Sequence, residues 1–150
     1  MAYITTTQLE NRLGSTLYAR LTDRVNGTTA DNSVAQQIAD EAEALADSYL
    51  ATRYATPIDL SAHAELADIL AGQVLDLAEY LAWRDSPFVT DIPERVRFLH
   101  EEATRWFASI AAGELNLPAA SPPEARTAEH DGPRYTAQPR RFTADELDGL

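Results

Sequence analysis

Three histidines, His63, His100 and His130, are the first residues to test for chemistry, and no two of them share a metal-ligand spacing. The run HEEAT at 100–104 places Thr104 where a zinc hydrolase motif needs its second histidine, so the ligand pair on one helical face is missing. The chain has no cysteine, which removes disulfides, thiolate metal sites and cysteine nucleophiles. No nucleophile elbow, phosphate-binding glycine–lysine loop or dinucleotide glycine fingerprint occurs. Glu43 and Asp47 stand one helical turn apart and read as a solvated face rather than an acid/base pair. The loop DRVNGTTAD at 23–31 has a faint calcium-loop cast, but Gly27 falls one residue early and Val34 occupies the place of the bidentate glutamate. No catalytic residue, metal or cofactor is assigned.

A second kind of chemistry is recognition. ADSYLATRYATPIDL, residues 46–60, ends a helical stretch in Tyr49, Arg53 and Tyr54, and Thr56-Pro57 stops any continuation. Tyr, Trp and Arg dominate protein–protein contact energies, so these three are candidate partner-binding residues. Trp83 with Arg84, and Arg105 with Trp106, could extend such a patch. The competing reading is a helix end packed on its neighbours, and Trp106, set in an apolar stripe, reads as core.

The elements that position these residues are helical. The first stretch spans about residues 6–22, with leucines at 9, 13, 17 and 21, Thr7 and Glu10 at capping-box spacing, and Gly14 dividing it into two pieces. The second runs from about Ser33 to Arg53, capped by Asp31 or Asn32, with Val34, Ile38, Ala42, Leu45 and Tyr49 as its stripe and Asp40, Glu43 and Asp47 opposite. The third, about Ser61 to Arg84, carries Leu66, Ile69, Leu70, Val74, Leu77 and Leu81. The fourth begins near Asp91 with Pro93 in its first turn and ends at Gly113, carrying Val96, Leu99, Ala103, Trp106 and Ile110, with Phe98 and Phe107 alongside. No sustained strand-like alternation is present. The fold class is all-α, a small bundle of about four helices over residues 1–113.

Residues 114–139 hold five of the eight prolines and few large apolar residues, which describes a linker or extended arm. The final RRFTADELDGL, 140–150, reads as a docking segment: Arg140, Arg141, Phe142 and Leu147 are its candidate partner-binding residues, and Thr143 and Glu146 have capping-box spacing. A segment this short is not helical alone in water, so a partner surface must order it.

The charge narrows the partners. There are 24 acids against 12 bases, all arginine, for a net −12. Such a chain should not grip a polyphosphate broadly, although DNA can slide past an acidic wall without sticking. MAYITTTQLENRL has neither a basic n-region nor an apolar h-region, so no secretory signal is expected, and no apolar run reaches membrane-spanning length.

Taken in order, several motifs resemble the Mu-like prophage head-completion proteins, which are similar to the head–tail connector (adaptor) proteins of long-tailed phages. They are Tyr3, Thr5 and Leu9 in a Y-x-T-x-x-x-L start, LTDR at 21–24, DSYLATRYATP at 47–57 and YLAWRD at 80–85. Ala111, Gly113, Leu115, Leu117 and Pro118 follow, and then the arginine–aromatic–threonine ending. The resemblance implies a dodecameric ring of neighbouring copies beneath a portal protein, which extends the DNA channel and offers a platform to the next connector or tail protein. Genomic DNA would pass without specific binding, and the location would be the head–tail interface of the virion after assembly in the host cytoplasm. The tyrosine–arginine helix end then reads as packing combined with contact to another protein. The alternative is an acidic helical regulator or inhibitor of a single host or phage protein.

Overall fold

The computed structural model describes residues 2–117, which form five helices and no strand. They are α1 (Thr6–Leu13), α2 (Ser15–Thr22), α3 (Asn32–Leu50), α4 (Ala64–Asp85) and α5 (Glu94–Ala112). The fold is all-α.

Local chemistry sets the helix ends. Thr5 caps α1: its hydroxyl accepts the Gln8 N–H at 3.2 Å while the Gln8 side-chain oxygen accepts the Thr5 N–H at 2.8 Å. The capping box therefore sits two residues before the Thr7–Glu10 pair that the spacing indicated. Gly14, at φ 79°, ends α1 and starts α2, a conformation that costs glycine little. Asp31 caps α3 through the N–H groups of Ser33 and Val34. Helix α3 stops at Leu50, short of Arg53; α4 begins at Ala64 rather than Ser61; and Pro93 precedes α5 instead of lying inside it. Gly113, left-handed at φ 84°, closes α5.

Helices α3, α4 and α5 pack together as an up-down-up set, and α1 and α2 lie on α3 and α4 only. The central helix α3 is therefore covered on several sides. Its fully buried positions include Ala35, Ala39, Ala42 and Ala46, small residues that admit close neighbours, whereas Val34, Leu45 and Tyr49 are half-buried. The expected stripe is thus rotated toward the alanines. Ile69, read as core, is 51% exposed, and Trp106 is half-buried against the core rather than within it. Leu117, in the stretch read as linker, is buried in the core, so the packed body extends past Gly113.

Charge is used inside this body. Arg12 of α1 donates to Glu79 at 2.8 Å and also pairs with Asp76, both on α4. Glu79 is buried, and the guanidinium offsets the cost of desolvating it. Burial pushes the Asp76 carboxyl above its usual range, against the opposing pull of Arg12.

Candidate functional site

The tyrosine–arginine cluster fastens the chain where it leaves the bundle. Tyr54 is buried, and its hydroxyl accepts the Leu117 N–H at 2.8 Å. The Arg53 guanidinium lies against Gly113, in the space a Cβ there would fill. Tyr49 stacks on Phe107, ring centroids 6.3 Å apart, and Trp106 meets the same Phe107 ring edge-on at 5.0 Å. Of the three residues proposed from sequence, Tyr54 is interior and held by an internal hydrogen bond. Tyr49 and Arg53 are partly buried and keep an exposed edge.

Beside this cluster, Tyr3 does the same for the N-terminal segment. Its hydroxyl donates to Asp47 at 2.5 Å and accepts the Ile58 N–H at 2.8 Å, while Glu43 accepts the N–H groups of Tyr3 and Ile4. Glu43 and Asp47 are therefore not a solvated face: they bind backbone and phenol from 39 to 44 residues away. Burial, reinforced by the bond to Asp47, raises the Tyr3 phenol well above its usual range, which keeps it protonated as a donor.

At the other end of the bundle the loop 23–31 is organised by one side chain. The Asp23 carboxylate accepts the N–H groups of Val25, Asn26, Thr28 and Thr29 at 2.8–3.1 Å. Those amides, Thr28 foremost, hold its carboxyl far below the usual carboxylate range. Arg24 donates to the Asp85 carbonyl and the Phe88 ring covers Gly27, joining this loop to the α4–α5 turn. The lone pairs a calcium ion would need are already taken by amides. Among the described residues no group of three or more His, Cys, Asp or Glu could hold a metal ion.

The histidines do not meet. His63 precedes α4 beside Glu65, at 3.8 Å, and His100 stacks on Tyr80 with centroids 3.9 Å apart. Burial lowers the His100 pKa, so the ring is neutral near pH 7 and acts as an aromatic packing group. His100 and Tyr80 form one wall of an open groove of about 560 Å³ between α3, α4 and α5. Leu45 and Leu81 line it, with Ser48 at one side and the Glu41–Arg84 ion pair, 3.0 Å, at its edge. Sequence patterning missed this groove, because its lining comes from three separate helices. Trp83 and Arg84 do not extend the Tyr49 cluster: Arg84 is tied to Glu41 and Asp85. Arg140, Arg141, Phe142 and Leu147 lie outside the described residues.

The described residues thus form an all-α helical body in which these polar side chains fasten segments and pair charges. A family model described as Bacteriophage Mu, Gp36 matches residues 3–134, and the chain belongs to that family, a group of structural or morphogenesis proteins of phage particles. The resemblance read from Tyr3 through Pro118 is met by this match. No curated protein matches the chain. No helix among the described residues is long and apolar enough to cross a membrane.

Proposed function

We propose that this protein is a head–tail connector (adaptor) of a tailed phage or phage-like particle. In this reading, copies form a ring, dodecameric by the resemblance, beneath the portal, extend the DNA channel and present a platform to the next connector or tail protein. The observation that carries it is the family match across residues 3–134, which takes in the whole helical body and part of the proline-rich stretch. Two further features support it. Tyr3 and Tyr54 fix both ends of the body at one pole of the bundle, a rigid base from which a C-terminal arm can reach a portal subunit. Net −12 suits a wall that DNA phosphates slide along.

The test is deletion of residues 140–150 in the particle that encodes the protein. Filled heads should then lose both this protein and their tails, while the purified helical body stays folded. Truncated particles that retain a full ring and attach tails normally would overturn the anchoring role. Labelled duplex DNA at physiological salt should show no appreciable binding, and tight, salt-sensitive binding would remove the channel-wall reading.

A further inference from the structure

The chain has four asparagines, Asn11, Asn26, Asn32 and Asn116, and only Asn26 is followed by glycine. An asparagine side chain can lose its amide when the backbone nitrogen of the next residue attacks its carbonyl carbon. A folded chain permits this where the attacking N–H is free of an acceptor and no side chain crowds it.

At three of the four asparagines the fold withholds the attacking amide. Arg12 lies inside α1, where its N–H belongs to the helix ladder. The Ser33 N–H donates to Asp31 at 2.9 Å, and Asn32 itself accepts the Tyr18 hydroxyl at 2.9 Å. The Leu117 N–H donates to Tyr54 at 2.8 Å. At Asn26 the pattern reverses. The Asp23 carboxylate accepts the amides of Val25, Asn26, Thr28 and Thr29 and passes over Gly27, whose N–H has no acceptor among the described residues. Asn26 is exposed, and Gly27 carries no side chain to obstruct the approach.

We infer that Asn26–Gly27 is a self-modifying site, which converts to aspartate and isoaspartate in the folded protein. The Gly27 nitrogen bonds to Asn26 Cγ, the Cγ–Nδ2 bond breaks, and the Gly27 amide proton leaves with the departing group as ammonia. Water then opens the cyclic imide. Opening at Cγ restores the ordinary chain with aspartate at position 26. Opening at the backbone carbonyl carbon routes the chain through the side chain as isoaspartate, one methylene longer. Nothing is oxidised or reduced.

The site lies between the two pairs of amides that Asp23 gathers. Either product adds a second carboxylate to the loop, and the isoaspartate methylene shifts Thr28 and Thr29 relative to Val25 and residue 26. The loop therefore loosens as the molecule ages, while the helical body is untouched. The inference concerns the purified chain and stands or falls independently of the particle role.

The test incubates the full-length protein at mildly alkaline pH and follows each asparagine by peptide mass spectrometry, with fragment spectra separating Asn26 from Asn32. Conversion at Asn26 should run at least about tenfold faster than at Asn11, Asn32 or Asn116, and within about tenfold of its own rate in the urea-unfolded chain. A folded rate more than about tenfold below the unfolded one would overturn the inference, because the loop would then be shielding the site. So would conversion at Asn26 no faster than at the other three. In the converted protein Thr28 and Thr29 should lose at least about tenfold of their protection from hydrogen exchange, with the amides of α3 unchanged. Asn26→Gln, whose longer side chain closes a larger and less favourable ring, should abolish both changes. The same loss of protection in incubated Asn26→Gln would show that the loosening has another cause and overturn its link to this site.

Discussion

The two poles of the bundle solve the same problem, holding non-helical chain in place, in opposite ways. At the pole where α3 and α5 end, two tyrosine hydroxyls make bonds between segments 44 to 63 residues apart: Tyr3 to Asp47 and Ile58, and Tyr54 to Leu117. At the pole where α3 begins, Asp23 gathers four amides from within six residues of itself. The first arrangement is part of the core, since Tyr3, Tyr54, Ile58 and Leu117 are all buried. The second is a local knot around the buried Asp23, joined to the α4–α5 turn through Arg24 and Phe88, that leaves Val25 78% exposed. Damage should therefore spread from the first pole and stay local at the second.

The largest effect is expected at Tyr3. Tyr3→Ala removes a buried ring together with both hydroxyl bonds and should cost about 3–5 kcal/mol in urea or thermal unfolding. Tyr3→Phe keeps the ring and should cost about 1–3 kcal/mol, for the stranded Ile58 N–H and the Asp47 carboxylate. A loss below about 0.5 kcal/mol for both would show that this pole is not cooperative with the core. Tyr54→Phe comes next: it strands one buried amide, Leu117 N–H, and should cost about 1–2 kcal/mol. It should also speed proteolysis of the chain beyond residue 113 more than proteolysis of α1.

Asp23→Asn should leave global unfolding almost unchanged but accelerate hydrogen exchange at Val25, Asn26, Thr28 and Thr29. The pH dependence has a defined sign. The folded Asp23 pKa is depressed, so the loop's contribution is whole above the ordinary carboxylate value of about 4 and fades as falling pH titrates the folded carboxyl below it. Protection of those four amides, taken relative to their intrinsic exchange rates, that falls instead between pH 5 and 8 would contradict this account. The smallest effect belongs to Val25→Ser, expected within about 0.5 kcal/mol of the parent because the side chain contributes little burial. A change above about 1 kcal/mol would mean that the loop pole is coupled to the core after all.

Much of the fold was legible from local pattern alone. Helical periodicity, Gly14 between α1 and α2, the Asp31 cap and the left-handed Gly113 all act within a few residues, where sequence and conformation are directly coupled. The candidate site was only partly legible. The helix end carrying Tyr49, Arg53 and Tyr54 stands out in the sequence as a candidate contact surface, but nothing local says that Tyr54 points inward to receive Leu117. The sequence likewise determined an acidic, all-arginine chain without cysteine, a proline-rich stretch after the helices, and enough ordered motifs to resemble one phage family.

Tertiary structure alone decided the rest, because it depends on which faces meet. Glu43 and Asp47 look solvent-facing on a helical wheel, yet they receive Tyr3 and Ile4 once the N-terminal segment lies across α3. Ile69 keeps its place in an apolar stripe, but no helix among the described residues covers it. The groove exists only because α3, α4 and α5 bring Leu45, Tyr80 and His100 together from positions that no single periodicity connects. Periodicity reports how apolar a face is; the partner that buries it, and the polar groups trapped along its edge, follow only from packing between distant segments.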